Sequence, residues 1–331
     1  MPYAWITDSG LLFKKESDMV FKRKFTKEAI EQLIKEDLFN EKLKNDVIKG
    51  DGKTHCVFPA IRDNRIDFYW GGRNLFSYSL KSGFRSHHKY ASVIFDEFGV
   101  PDNKKDSYIR ELSLKNDSVR LIQNFSEGYD RIKENCRHYS GVEALGVSSL
   151  YERFSCAKSS TELGVVVLDI EASFTSNVNG GDSWGGSKRK KQDRIDLVIF
   201  DLKNSTLRFI EAKHYNNKEI RSDGTPAVVY QMEKYSKQIK DNKVDILEAY
   251  QNHVDIINIL FRPNNKLHKP KYVEEEPILL IFGFDEAQRN HYLKKEIEPK
   301  LKRNNLRFYS IGEIKNSKLS TIFKGGKQNW D

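Results

Sequence analysis

Apolar residues in the first third of the chain recur at helical spacing and then at strand spacing. Residues 25–49 (FTKEAIEQLIKEDLFNEKLKNDVIK) bring Ile30, Leu33, Ile34 and Leu38 to one helical face, with Thr26 placed to cap the start. Aromatic and β-branched runs over residues 54–79 are broken at Asp63-Asn64 and Gly71-Gly72, which predicts a β-meander. Residues 107–135 read as mostly helical, with a break at Asn116-Asp117. Residues 1–138 are therefore expected to form an α+β module.

From residue 139 the pattern becomes more regular. A helix over 141–156 precedes a strand over 163–174 (LGVVVLDIEASF). A polar loop over 175–192 follows, with two glycine pairs and the basic run Lys188-Arg189-Lys190-Lys191. Strands are predicted at 194–202 and 207–215, a helical stretch over 226–260, a strand at 277–284, a helix at 286–302 and a last strand at 306–311. The order αβββαβαβ predicts an α/β fold with a mixed central sheet flanked by helices, spanning 139–331.

Composition narrows the class. The 331 residues are 38% hydrophobic and 31% charged, enough apolar material for a sizeable core beneath a wet surface. The 56 basic side chains outnumber 47 acidic ones for a net charge of +9, which favours polyanionic partners without selecting one. Three scattered cysteines, Cys56, Cys136 and Cys156, build neither a disulfide framework nor a CxxC zinc site. No signal-peptide pattern opens the chain, and no apolar run nears the ~20 residues of a membrane helix, so a cytoplasmic protein is expected.

Chemistry concentrates on the two strands on either side of Asn204-Ser205. Glu211 and Lys213 lie two apart, so both leave one sheet face while Ala212 leaves the other. A turn centred between Asn204 and Ser205 sets Asp196 opposite Lys213 and Val198 opposite Glu211, gathering two carboxylates and one ammonium on one patch. A cross-strand salt bridge is the plain explanation. The alternative is a cation site, because both strands are apolar on both faces and charges at their ends need a counter-charge or a metal. Mg²⁺ takes carboxylate oxygens, keeps several waters, and can polarise a phosphate and activate water.

The arrangement Asp196 … Glu211-Ala212-Lys213 on adjacent strands after a helix and a first strand resembles the PD-(D/E)XK nucleases. Gln231-Met-Glu-Lys-Tyr235 on the next helix resembles the QxxxY motif of their RecB-like branch, with Gln231 and Tyr235 on one helix face. The resemblance covers residues 141–311. It implies Mg²⁺ or Mn²⁺ held by Asp196, Glu211 and the backbone carbonyl of Ala212, with Lys213 assisting water and Gln231 and Tyr235 supporting the site. DNA is the implied substrate, with RNA the alternative, in restriction or anti-phage defence. DNA repair, or a silent DNA-binding scaffold, are the competing roles. Ile195 stands where the family name has proline. A first-helix glutamate is also expected, with Glu152 the first choice, Glu143 the second, and Glu171, on one strand face with Asp169, the third.

Other features carry less. Lys188, Arg189, Lys190 and Lys191 suit phosphate contacts or a solvated loop. His87 and His88 lack the neighbours of a zinc site, and His214 is expected to face away from Lys213. Tyr69, Trp70 and Phe76 suit base stacking or core packing. Residues 180–186 (GGDSWGG) match no phosphate loop. A homodimer, and a protein partner for the N-terminal module, stay open.

Overall fold

Two sheets grow from these two patterns. The computed structural model describes residues 4–7, 10–13, 21–49, 56–93, 107–117, 120–158, 164–174, 194–222, 224–314 and 318–325. The loop with Lys188, Arg189, Lys190 and Lys191 lies outside them.

A short antiparallel hairpin, β1 (Ala4–Thr7) and β2 (Gly10–Phe13), comes first. Helix α1 (Lys27–Leu33) starts where predicted, with the Thr26 hydroxyl accepting from the Ala29 amide. The expected single helix breaks after Leu33, leaving Ile34 exposed at its end. It resumes in a wide-turn segment, Phe39–Leu43, and α2 (Lys44–Lys49).

The meander is longer than predicted. Its five antiparallel strands lie in chain order: β3 (Phe58–Arg62), β4 (Arg65–Trp70), β5 (Arg73–Ser79), β6 (Gly83–His87) and β7 (Tyr108–Arg110). Gly71 and Gly72 turn β4 into β5 with φ of 55° and 82°, the mirror-turn geometry that suits a twisted hairpin. Part of the stretch read as helical is strand β7, and a 3₁₀ segment over Glu111–Asn116 follows it. Two short helices, α3 (His88–Ala91) and α4 (Tyr129–His138), pack beside this sheet.

The second sheet is mixed, with strands β8 (Val165–Ala172), β9 (Ile195–Asp201), β10 (Thr206–His214), β12 (Ile278–Phe282) and β13 (Phe308–Ile311). They lie in the order β13-β12-β10-β9-β8. The two-residue β11 (Tyr272–Val273) pairs with the start of β10. Strands β8, β9 and β10 run antiparallel, whereas β12 runs parallel to β10 and to β13. Helix α5 (Val142–Arg153) shares a buried cluster with Leu197, Ile199, Ile210 and Ala212. The other cluster joins Val198, Phe200, Leu207 and Phe209 to the long helices that follow β10. Both faces of β9 and β10 are covered, which is why both strands are apolar almost throughout. Between β10 and β12 lie α6 (Lys218–Arg221), α7 (Ala227–Asp241) and α8 (Lys243–Phe261). A helical run over 286–303 then leads into β13. The predicted order of elements over 139–311 is observed, with α6 and β11 added and the long helix divided at Asn242. Among the described residues, no helix is long and apolar enough to cross a membrane.

The core runs across residue 138. Phe39 meets Phe261 at 5.9 Å between rings, and Phe21 meets Phe174 at 5.0 Å. Arg23 and Arg62, from the first half, both grip the fully buried Asp169 of β8, at 2.8 and 2.7 Å. The β4–β5 turn docks on α5: the Gly71 amide donates to Glu152 at 2.6 Å and the Gly72 amide to the Tyr151 hydroxyl at 3.0 Å. A Cβ on Gly72 would lie 2.7 Å from the Ala144 backbone. Gly72→Ala is therefore expected to cost on the order of 2–4 kcal/mol, from the positive φ and the forced approach together. Urea midpoints of the variant and the parent would measure it.

Several aromatic and histidine side chains are settled by this packing. Tyr69, Trp70 and Phe76 are buried in the meander and present no face to a base. His88 is enclosed, with ring contacts to Ser107 and Asp117, and the His87 ring lies on Tyr108.

Candidate active site

Asp196, Glu211 and Lys213 meet near the C-terminal end of β10, but in a register two residues from the one expected. The observed pairs Thr206↔Asp201 through Ile210↔Leu197 continue to place Asp196 opposite Glu211, and Val198 lies opposite Phe209. The turn is the cause. Asp201 Oδ1 accepts from the Lys203 and Asn204 amides, its Oδ2 accepts from the Asn204 side chain, and Ser205 takes φ 54°. Residues 202–205 thus form a four-residue loop centred between Lys203 and Asn204. A shift of two preserves the face, so the three groups still converge.

Each is held by a specific contact. Asp196 Oδ2 accepts from the Ala212 amide at 2.7 Å, just beyond Ile210↔Leu197, the last pair of the β9–β10 ladder. Glu211 Oε1 lies 2.8 Å from Lys213 Nζ and accepts from Gln231 Nε2 at 2.9 Å. Gln231 also donates to the Tyr235 hydroxyl, which donates to the Arg194 carbonyl at 2.7 Å. One helix face of α7 therefore touches Glu211 on β10 and the residue preceding β9. The apolar spacing of Val228, Met232, Tyr235 and Ile239 buries that face and fixes its orientation.

The glutamates sort differently from expectation. Glu143, in the first turn of α5, is the one that arrives: its Oε2 accepts from the His214 amide at 2.8 Å and from Asn217 at 2.9 Å. Glu152 stands nine residues further along α5, about 13 Å at the helical rise, and its carboxylate is committed to Gly71. Glu171 does not share surroundings with Asp169. The β8 register shifts between Val167 and Asp169, and Glu171 adopts φ 46°. Its carboxylate pairs with Arg194 at the surface, whereas Asp169 is sealed in the core. His214 packs edge-on to Phe282, as expected for a residue facing away.

One participant escaped the sequence reading. Glu219 Oε2 lies 2.6 Å from Lys213 Nζ. It sits on α6, a four-residue helix whose cap is Asn217, through Oδ1 accepting from the Glu219 amide. The sequence signal was the capping asparagine, and nothing local marked the acid that follows it as a partner of β10.

Electrostatics at this cluster are dominated by negative charge. Besides burial, Asp196 is acted on by Glu211, the Ala212 amide, Lys213 and Glu143, and Glu211 by Lys213, Glu143 and Glu219. Burial, and then the charge of Glu211, hold the Asp196 carboxyl well above the usual carboxylate range. Burial likewise pushes Glu211 up to about 7 despite Lys213 beside it. For Lys213, burial would lower the pKa, but Glu211 and Glu219 outweigh it and keep the group protonated.

A raised carboxyl makes a testable contribution to stability. Glu211 binds its proton more tightly folded than unfolded, so its contribution is complete below the ordinary 4.5 and is lost as pH rises through about 7. In metal-free protein, the gain in thermal midpoint between pH 7.5 and pH 5 is expected to shrink in Glu211→Gln. Equal gains in parent and variant would refute this assignment.

The residues fit a hard divalent cation. Glu211 Oε2 is buried with no hydrogen-bond partner among the described residues, although its sister oxygen has two contacts. Among the described residues, no group of three or more His, Cys, Asp or Glu is close enough to hold a metal alone. Two carboxylates with water and substrate oxygens completing the shell is the set that Mg²⁺ accepts. Glu211 and Lys213 are 2% and 6% exposed, and Asp196 is half-buried, so the cluster opens toward solvent on the Asp196 side. Comparison with protein-family models, curated proteins and solved structures found no match.

Proposed function

We propose that this chain is a PD-(D/E)XK-type nuclease of the RecB-like branch, hydrolysing phosphodiester bonds of DNA with Mg²⁺ or Mn²⁺. The observation that carries the reading is the joining of two motifs far apart in sequence. Gln231 reaches the carboxylate of Glu211, and Tyr235 reaches the carbonyl of Arg194, two residues before Asp196.

Asp196 and Glu211 would hold the metal, Glu211 through its free Oε2, with the Ala212 carbonyl as a further ligand. When bound, the metal supplies Lewis acidity toward the scissile phosphate and its attacking water. Lys213, held protonated, donates to that water or to the phosphate oxygens as negative charge builds. Gln231 and Tyr235 hold Glu211 and the β9 entry in register. The Glu143 carboxylate fixes the backbone at His214, just past Lys213.

A second reading rests on a specific observation: Glu211 and Lys213 are almost fully covered, as in a core that binds nucleic acid without turning it over. Incubating purified protein with circular and linear DNA in Mg²⁺, Mn²⁺ and EDTA, beside Lys213→Ala, separates the two. The nuclease cuts in metal alone and loses cutting in the variant. The silent binder retains salt-sensitive affinity and leaves the DNA uncut. Restriction or anti-phage defence is the role we propose, with DNA repair the alternative. Plaque counts on cells carrying parent or Lys213→Ala protein test that role directly.

A further inference from the structure

Lys213 is gripped from two sides, and the two sides are not equivalent. An ammonium has three N–H donors and no acceptor. Here Glu211 Oε1 lies 2.8 Å from Nζ and Glu219 Oε2 lies 2.6 Å from it. In the proposed reaction Glu211 is also a metal ligand. A divalent ion on Glu211 draws that carboxylate's charge away from the ammonium and repels the ammonium itself. Something else must then keep Lys213 in place.

We propose that Glu219 is a positioning residue that retains the Lys213 ammonium at the site when a divalent cation occupies Glu211. The inference rests on the nuclease reading above. Its physical basis is the way Glu219 is mounted. Asn217 Oδ1 fixes the Glu219 amide, while Asn217 Nδ2 donates to Glu143 at 2.9 Å. The Asn217 amide donates back to the His214 carbonyl at 2.7 Å, and Ile220 is fully buried beneath α6. Glu219 is thereby tied to the same Glu143 that holds the end of β10. Its side chain is 46% exposed whereas that of Lys213 is 8% exposed, so the carboxylate caps the ammonium from the solvent side. An ordinary surface pair would add little to stability and nothing to turnover. A positioning pair acts on turnover and leaves stability nearly unchanged, which separates the two.

Two measurements on the full chain test this. The first is steady-state cleavage of a linear duplex in Mg²⁺ by the parent, Glu219→Gln and Glu219→Ala. We expect kcat to fall about 10- to 100-fold in Glu219→Ala, the usual cost of losing a partner behind a metal site. KM should stay within about twofold, the urea midpoint should be unchanged, and Glu219→Gln should be intermediate. The second measurement follows the Lys213 side-chain ammonium by NMR in ¹⁵N-lysine protein, assigned by its absence in Lys213→Ala. With Ca²⁺ as a non-turnover probe ion, the signal should persist in the parent and be lost in Glu219→Ala. Without Ca²⁺ it should persist in both, held by Glu211. Parent-like kcat in Glu219→Ala, or a signal equally persistent there with Ca²⁺, overturns the inference. A parent that neither cuts DNA in Mg²⁺ nor binds Ca²⁺ in a calorimetric titration overturns the nuclease reading instead.

Discussion

Under the proposed nuclease reading, replacing Glu211 by alanine is expected to reduce metal-dependent DNA cleavage by about a thousandfold or more. A divalent metal bound there would contribute several kcal/mol of transition-state stabilisation, and each 1.4 kcal/mol lost is about a factor of ten in rate. Glu211 presents an Oε2 that has no hydrogen-bond partner among the described residues. Asp196→Ala should behave alike, because Asp196 offers the other carboxylate. Lys213→Ala should cost less, about 10²–10³-fold, as for loss of one donor to the transition state. Single-turnover rates on linear duplex, with binding checked by titration, read the three effects. A fold control is built in. Glu211→Ala removes an acid whose burial disfavours its charge, but it also deprives Lys213 of a partner, so circular dichroism must show a parent-like spectrum before any rate counts. Cleavage within tenfold of the parent in any of the three would exclude the reaction as drawn.

The largest expected loss of stability lies elsewhere, at Asp169. Its carboxylate receives Arg23, Arg62 and the Tyr250 hydroxyl, with no exposure to solvent. Asp169→Ala takes the carboxylate from the buried Arg23 and leaves Arg62 with only the longer 3.6 Å approach to Asp67, and a cost of about 3–5 kcal/mol is expected. Chemical denaturation measures this directly, and a cost below 1 kcal/mol would contradict it. The same carboxylate gives an acid limit. Burial alone would raise its pKa, but Arg23 and Arg62 outweigh burial and hold it well below the usual range. Its contribution is therefore present above the ordinary value of 3.8 and is lost as pH falls from there toward the lower folded value. Between pH 7 and 4.5 Glu211 acts in the opposite sense, its contribution growing as the carboxylate takes up its proton.

The sequence carried the order of elements because each is announced by a local pattern. Alternating and continuous apolar runs mark β8, β9, β10 and β12, and α7 shows its buried face in Val228, Met232 and Tyr235. Parity of the side-chain faces was legible too, since a two-residue period survives any even error in the turn. The register itself was not, because it depends on Asp201 folding its side chain over Lys203 and Asn204. Nothing local distinguishes Glu143 from Glu152. Both lie on α5, and the choice is made by a distant turn whose Gly71 amide claims Glu152. Glu219 was invisible for the same reason, as its significance comes from a strand six residues earlier. The break after Leu33 and the strand at Tyr108–Arg110 were missed where an apolar pattern fits either structure and tertiary contacts decide.

The ring contacts and guanidinium grips that cross residue 138 have a consequence for how such a chain can diversify. A graft that kept residues 139–331 and exchanged what precedes them would strip cover from Phe261 and Phe174 and leave Asp169 without Arg23 and Arg62, with the Tyr250 hydroxyl as the remaining donor of the three. The hybrid is expected to lose cooperative folding. Substitutions confined to the outer surface would leave this shared interior intact.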